Sequence, residues 1–226
     1  KDMNSQIIIM LTHNDRTVPN ALEVFESCKD LPVKFWGFKD VGLPKDQMRQ
    51  LIGAMKAAGK TTFLEVVSYS EEECMAGAKL AVEMGFDYLM GTVYHQSVFE
   101  YLATQKISFL PFCGTVYGSP SVLEGSFQEI IDDAKRILSV DGVAGICLSV
   151  YRYCDGDPEV MAMEFARQIS APMIVTGSIG NDARLNFVKA MKPWGFTIGS
   201  ALFDDSFGHY DHISDKLDML LEKLEQ

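Results

Sequence analysis

A chain of 226 residues, 47% hydrophobic and 23% charged, has the composition of an ordinary globular protein, which excludes the disordered and fibrous classes. Its formal net charge of −11 leaves no basic face, so neither nucleic acid nor an anionic membrane is expected as a partner. No apolar run reaches the length of a membrane span and no basic-then-apolar leader opens the chain, so the cytoplasm is the expected compartment.

Taken in order, residues 7–12 form a continuous apolar run, the form of a strand buried on both faces. It ends at His13-Asn14-Asp15. A short helix is expected over 21–28, a strand over 33–38 ending at Lys39-Asp40, and a helix over 45–58 stopped by Gly59. A third strand spans 61–67. Ser70 with three following glutamates then opens a helix, as a capping box and the helix dipole favour. That helix ends near Gly85, and a fourth strand over 87–93 runs into Tyr94-His95. The pattern continues with a helix over 96–104, a strand over 107–113 and a long Gly-, Ser- and Pro-rich loop over 117–126 placed to cover a site. A helix over 127–138, a strand over 143–149 and a helix over 158–169 with Pro158 at its first position follow. Two last strands, 173–176 and 196–198, flank a helix over 182–191, and an amphipathic helix over 213–224 closes the chain.

Strands and helices alternate as eight units at a spacing of roughly 25 residues, the pattern of an α/β fold of the (β/α)8 TIM barrel kind. No linker or composition shift divides residues 1–226, so one barrel domain is expected. A doubly wound nucleotide-binding sheet would want a glycine-rich turn after the first strand, and His13-Asn14-Asp15 has none.

The last two strands each stop at a small-residue turn, Gly177-Ser178 and Gly199-Ser200. Such turns expose consecutive backbone N–H groups and, with a helix N-terminus behind them, suit a phosphate dianion. In a barrel the loops after the seventh and eighth strands are the usual phosphate site. The segments Thr176-Gly177-Ser178-Ile179 and Ile198-Gly199-Ser200-Ala201 therefore make the chain resemble the ribulose-phosphate-binding barrels, a superfamily of sugar-phosphate epimerases, decarboxylases and aldolases. Two stretches are also similar to the N-acylmannosamine-6-phosphate 2-epimerases: residues 31–39, a strand ending in lysine like the one that carries that family's catalytic lysine, and residues 71–92. Where those epimerases carry a glutamate before the seventh-strand glycine, this chain has Thr176.

Among candidate acid–base groups, Lys39 ends the second strand and Glu65 lies inside the third. A carboxylate in an apolar strand needs a partner, and Lys39 on the adjacent strand is the natural one. The pair suits proton transfer beside a carbonyl, or simply a salt bridge closing the barrel interior. His13 is a third catalytic candidate, with a surface or capping histidine as the plainer alternative. Asp15, Asp40, His95 and Arg152 are candidate substrate-binding residues, Arg152 as a bidentate clamp on phosphate or carboxylate. Asp204-Asp205, close behind the second turn, would repel a phosphate unless turned away or used as caps.

No metal is expected, because no ligand spacing occurs and the His209–His212 stretch reads as a solvated loop; no cofactor is expected either. The strands that would carry an imine-forming lysine hold none, and the five cysteines lack the pairing of a zinc site or a disulfide framework. The function expected is an enzyme moving a proton on a small phosphorylated sugar or sugar acid, of isomerase, epimerase or lyase type, with a homodimer as a possible assembly. The alternatives are a regulatory barrel that binds a phosphorylated ligand, and a barrel enzyme on a non-phosphorylated substrate.

Overall fold

The computed structural model describes residues 5–226. Eight parallel strands close into a barrel: β1 (Gln6–Met10), β2 (Phe35–Lys39), β3 (Thr61–Val66), β4 (Tyr88–Val93), β5 (Ser108–Phe112), β6 (Ile146–Leu148), β7 (Met173–Val175) and β8 (Gly195–Ile198), with β8 paired back onto β1. Helices α1 (Ala21–Cys28), α2 (Lys45–Ala57), α3 (Glu71–Met84), α4 (Gln96–Ala103), α5 (Phe127–Leu138), α6 (Pro158–Gln168), α7 (Asp182–Met191) and α8 (Ile213–Glu225) wrap the outside. This is the (β/α)8 barrel expected from the alternation. Among the described residues no helix is long and apolar enough to cross a membrane.

The apolar runs become strands because both faces are covered. One face packs under the helices and the other fills the barrel. Along β2 and β3 the inward residues alternate, Phe35, Gly37 and Lys39 against Phe63 and Glu65. Gly37 is required there: a Cβ would lie 2.5 Å from the Phe63 carbonyl oxygen and 2.8 Å from Met10 Sδ. The N-terminal end of the barrel is plugged by aromatic rings. Phe63 stacks on Tyr88 at 4.5 Å between centroids, while Trp194 lies 5.4 Å from Phe35 and 5.6 Å from Tyr88. Only the opposite end, where the strands finish, is left for a cavity.

Local signals in the sequence act as expected at several helix ends. Ser70 accepts the Glu73 N–H at the start of α3, Gly85 ends it at φ 77°, and Asp157 caps α6 ahead of Pro158. Three features differ from expectation. Residues 117–126 are not an open loop, because Thr115–Tyr117 pairs antiparallel with Val122–Glu124 as a hairpin. The turn after β1 is also a hairpin, Thr12–His13 against Arg16–Thr17, with Asn14 and Asp15 both at positive φ. Behind Gly199 stands only a one-turn 3-10 helix, Ser200–Leu202, so no α-helix N-terminus backs the second turn.

Candidate active site

A cavity of about 350 Å³ opens among the C-terminal ends of the strands. It takes residues from seven of the eight strands or the segments that follow them. Met10 and Thr12 come from the first strand and its turn, Lys39 and Glu65 from β2 and β3, and Phe112 from β5. Ser149, Arg152 and Thr176 follow β6 and β7, Thr197 belongs to β8, and Ser121 reaches in from the Thr115–Glu124 hairpin.

Lys39 and Glu65 are partners across the β2–β3 ladder, and Lys39 Nζ lies 3.6 Å from Glu65 Oε1. Their side chains are 11% and 12% exposed, so this is a nearly buried ion pair. A second carboxylate joins it, with Asp15 Oδ1 3.4 Å from the same ammonium. Thr17 fixes the end of β2 by exchanging hydrogen bonds with both the N–H and the carbonyl of Lys39, each 2.9 Å. One ammonium is thus held between two carboxylates at the mouth of the barrel.

Across the mouth, the two small-residue turns meet the same cavity. Gly177 and Ser178 take consecutive left-handed conformations, φ 85° and 61°. A serine in that region is uncommon and strained, and such strain concentrates at functional sites. Arg184 holds it by donating from Nη1 to the Ser178 carbonyl at 2.6 Å, its guanidinium lying 4.3 Å from the Tyr151 ring centroid. Tyr151 donates in turn to Glu159 Oε2 at 2.8 Å, and burial, with that bond, pushes its phenol well above the usual range.

The four amides expected to hold phosphate are not equivalent. The Gly177 N–H donates to Thr197 Oγ1 at 3.2 Å and is occupied. The amides of Ser178, Gly199 and Ser200 have no protein acceptor among the described residues. Arg152 lies against this turn, since a Cβ on Gly177 would be 3.5 Å from its Nε. That Nε is buried and has no hydrogen-bond partner. The hydroxyls of Ser149 and Thr176, 3.1 Å apart, join the two halves of the cavity.

Lys39, Glu65, Asp15, Arg152 and both turns are therefore brought together. His13, Asp40 and His95 do not line the cavity. His13 turns toward Phe203, 6.3 Å between ring centroids, with its Nδ1 buried and unpartnered. His95 bonds through Nε2 to the Tyr69 carbonyl at 2.9 Å. Asp40, one residue past the inward Lys39, faces a separate depression beside Lys45 and Glu73, where burial raises its carboxyl above the ordinary value. Thr12, Thr197, Ser149 and Asp204 line the cavity without having been singled out as binding residues. Period-two alternation from Met10 and from Gly195 was enough to find the first two.

No family model matches the chain, and no curated protein matches it. Solved structures do. Orotidine 5'-phosphate decarboxylase from Pyrococcus horikoshii OT3 superposes with a TM-score of 0.68 at 8% identity, covering 98% of this chain and 100% of that one. N-(5'-phosphoribosyl)anthranilate isomerase from Pyrococcus furiosus gives 0.63 at 15% identity, covering 98% of each chain. A 4-hydroxy-2-oxoglutarate aldolase/2-deydro-3-deoxyphosphogluconate aldolase gives 0.66 at 15% identity, covering 98% of this chain and 95% of that one. The resemblance to the N-acylmannosamine-6-phosphate 2-epimerases rests on the two sequence stretches quoted for it. Closed strand order and full-length superposition together give the chain the (β/α)8 barrel fold that these three structures share.

Proposed function

We propose that the protein is an enzyme that moves a proton on a small phosphorylated sugar or sugar-derived acid, as an isomerase or epimerase or in a related carbon–carbon lyase. The observation that carries this is the sharing of one cavity by the Lys39–Glu65–Asp15 cluster and the unoccupied amides of Ser178, Gly199 and Ser200. The solved relatives support it in kind, since all three are named for phosphorylated or phosphoribosyl compounds. Lys39 and Glu65 line the cavity, which favours an enzyme over a purely regulatory barrel.

The chemistry follows from charge placement. A carboxylate of the cluster takes the proton from the carbon next to a carbonyl, the C–H electron pair becomes a carbon–carbon double bond, and the carbonyl π pair moves onto the oxygen. The Lys39 ammonium stabilises the enolate oxygen that results, as a preorganised cation does best where water is excluded. The proton then returns to the other face of the same carbon, or to its neighbour. General acid–base groups placed this way contribute about 10²- to 10⁴-fold each. The phosphate, held by amides on the far side of the mouth, fixes which carbon faces Glu65.

A thermal-shift screen against phosphorylated sugars identifies the ligand, and Lys39→Met then tests the mechanism. Turnover is expected to fall by at least 10³-fold while affinity for inorganic phosphate stays within a few-fold. Activity surviving Lys39→Met on an identified substrate overturns the assignment.

A further inference from the structure

We infer that the ligand of this cavity is an uncharged, hydroxylated sugar bearing a single phosphate, and that Arg152 supplies the positive charge that holds the phosphate. This rests on the phosphate site proposed above and narrows it. The side chains lining the cavity include five charged groups, Asp15, Lys39, Glu65, Arg152 and Asp204. Lys39 is already shared between two carboxylates, at 3.4 and 3.6 Å. Arg152 has no carboxylate within ion-pair distance among the described residues, and its buried Nε–H lacks any acceptor. A buried donor left unpaired is costly, and the guanidinium of an arginine lining a polar cavity matches the paired oxygens of a phosphate.

The position of Arg152 decides which part of a ligand it meets. Its Nε lies 3.5 Å from where a Cβ of residue 177 would stand, an ordinary contact distance, so the guanidinium lies against the turn that presents the free Ser178 amide. Guanidinium and amide therefore converge on one anion. A second anionic group at the other end of the ligand would face Asp15 and Glu65 with no free cation to receive it. That end suits hydroxyls, which carboxylates accept well, and the Ser149–Thr176 hydroxyl pair extends the same chemistry along the cavity. A phosphorylated sugar acid or a bisphosphate meets one cation too few.

The test is isothermal titration of the protein with inorganic phosphate, glucose 6-phosphate, 6-phosphogluconate and fructose 1,6-bisphosphate. The unsubstituted protein is expected to bind glucose 6-phosphate at least tenfold more tightly than 6-phosphogluconate or the bisphosphate. Arg152→Gln is expected to weaken inorganic phosphate at least tenfold while leaving the ligand-free thermal midpoint unchanged or raised. Arg152→Lys, which keeps the charge but loses the Nε–H, is expected to fall between the two. Equal or tighter binding of the sugar acid, or phosphate binding indifferent to both Arg152 variants, overturns the inference with the phosphate site intact. Inorganic phosphate failing to bind the unsubstituted protein at millimolar concentration instead removes the phosphate site itself, and this inference with it.

Discussion

Removing the Lys39 ammonium probes the electrostatics of the site most directly. Lys39 and Glu65 face each other across β2 and β3 at 3.6 Å, each nearly buried. At that separation an effective dielectric constant of about 20 gives roughly 4.6 kcal/mol of attraction, before desolvation is subtracted. Asp15 is nearer but 43% exposed, so solvent screens most of its share. Lys39→Met leaves a carboxylate without its cation in an apolar strand. Protonation of an orphaned carboxylate at neutral pH caps the penalty at about 3.7 kcal/mol. The expected loss is therefore about 2–3 kcal/mol, or roughly 4–12 °C in Tm for a domain of this size. The double variant Lys39→Met/Glu65→Gln removes both charges and is expected to recover about 1 kcal/mol or more relative to the sum of the single losses. Urea unfolding of the four proteins at neutral pH, followed by far-UV circular dichroism, gives the coupling. A double-variant loss equal to the sum of the single losses within about 0.5 kcal/mol means that the two charges are independent, and the pair described here would not exist in solution.

Gly177→Ala puts a Cβ into a left-handed position at φ 85°, beside Arg152, which is expected to cost about 1–2 kcal/mol of stability and to weaken inorganic phosphate about fivefold or more; unfolding and titration on the same preparation check both. Lys216 is 4% exposed and donates to the carbonyls of Leu202 and Asp204, so Lys216→Met strands two acceptors. A loss of about 2 kcal/mol, roughly 4–8 °C in Tm, is expected, and a midpoint within 1 °C of the parent contradicts it. Burial raises the Asp40 carboxyl above its ordinary 3.8, offset in part by its own backbone N–H and by Lys39. Its contribution to stability is therefore fully present below the unfolded-state value and is lost as pH rises through the higher folded-state value. Asp40→Asn should raise the midpoint at neutral pH and leave it unchanged near pH 3; stabilisation that is independent of pH counts against burial as the cause.

The barrel was legible because its strands are short, mostly apolar runs and several helices carry their own start and stop signals, as Ser70, Gly85 and Pro158 do. Lys39 and Glu65 were legible for the converse reason: a charge in such a run has to be paired or used. What lies just past a strand end was not legible, because the chain there turns either way. Thus Asp15 enters the cavity through two left-handed residues, while His13, Asp40 and His95 leave it. The hairpin over the mouth is set by long-range contacts, Tyr69 to the Gly118 carbonyl at 2.6 Å and Tyr153 to the Gly125 carbonyl at 2.6 Å, that no local pattern encodes. The loss of the Gly177 amide to Thr197 likewise depends on the β7–β8 register.

The acidic segment after β8 shows how the cavity sorts its charges. Asp204 lines the cavity near the small-residue turns, where an unscreened carboxylate would oppose a phosphate. Its Oδ1 instead accepts the Ser206 N–H at 2.9 Å, and the buried Lys216 ammonium donates to its main-chain carbonyl. Asp205 points outward and meets His209 at 3.4 Å on the surface. The repulsion is thereby reduced by a local hydrogen bond and by a cation placed behind the segment. On the opposite side Lys39 stands between Glu65 and Asp15. The free positive charge of the cavity is thus on the β6–β7 side, with Arg152, and the proton-accepting groups are on the β2–β3 side. A ligand with one anionic end has one favourable orientation in such a field, with its phosphate at Arg152 and its carbonyl at Lys39.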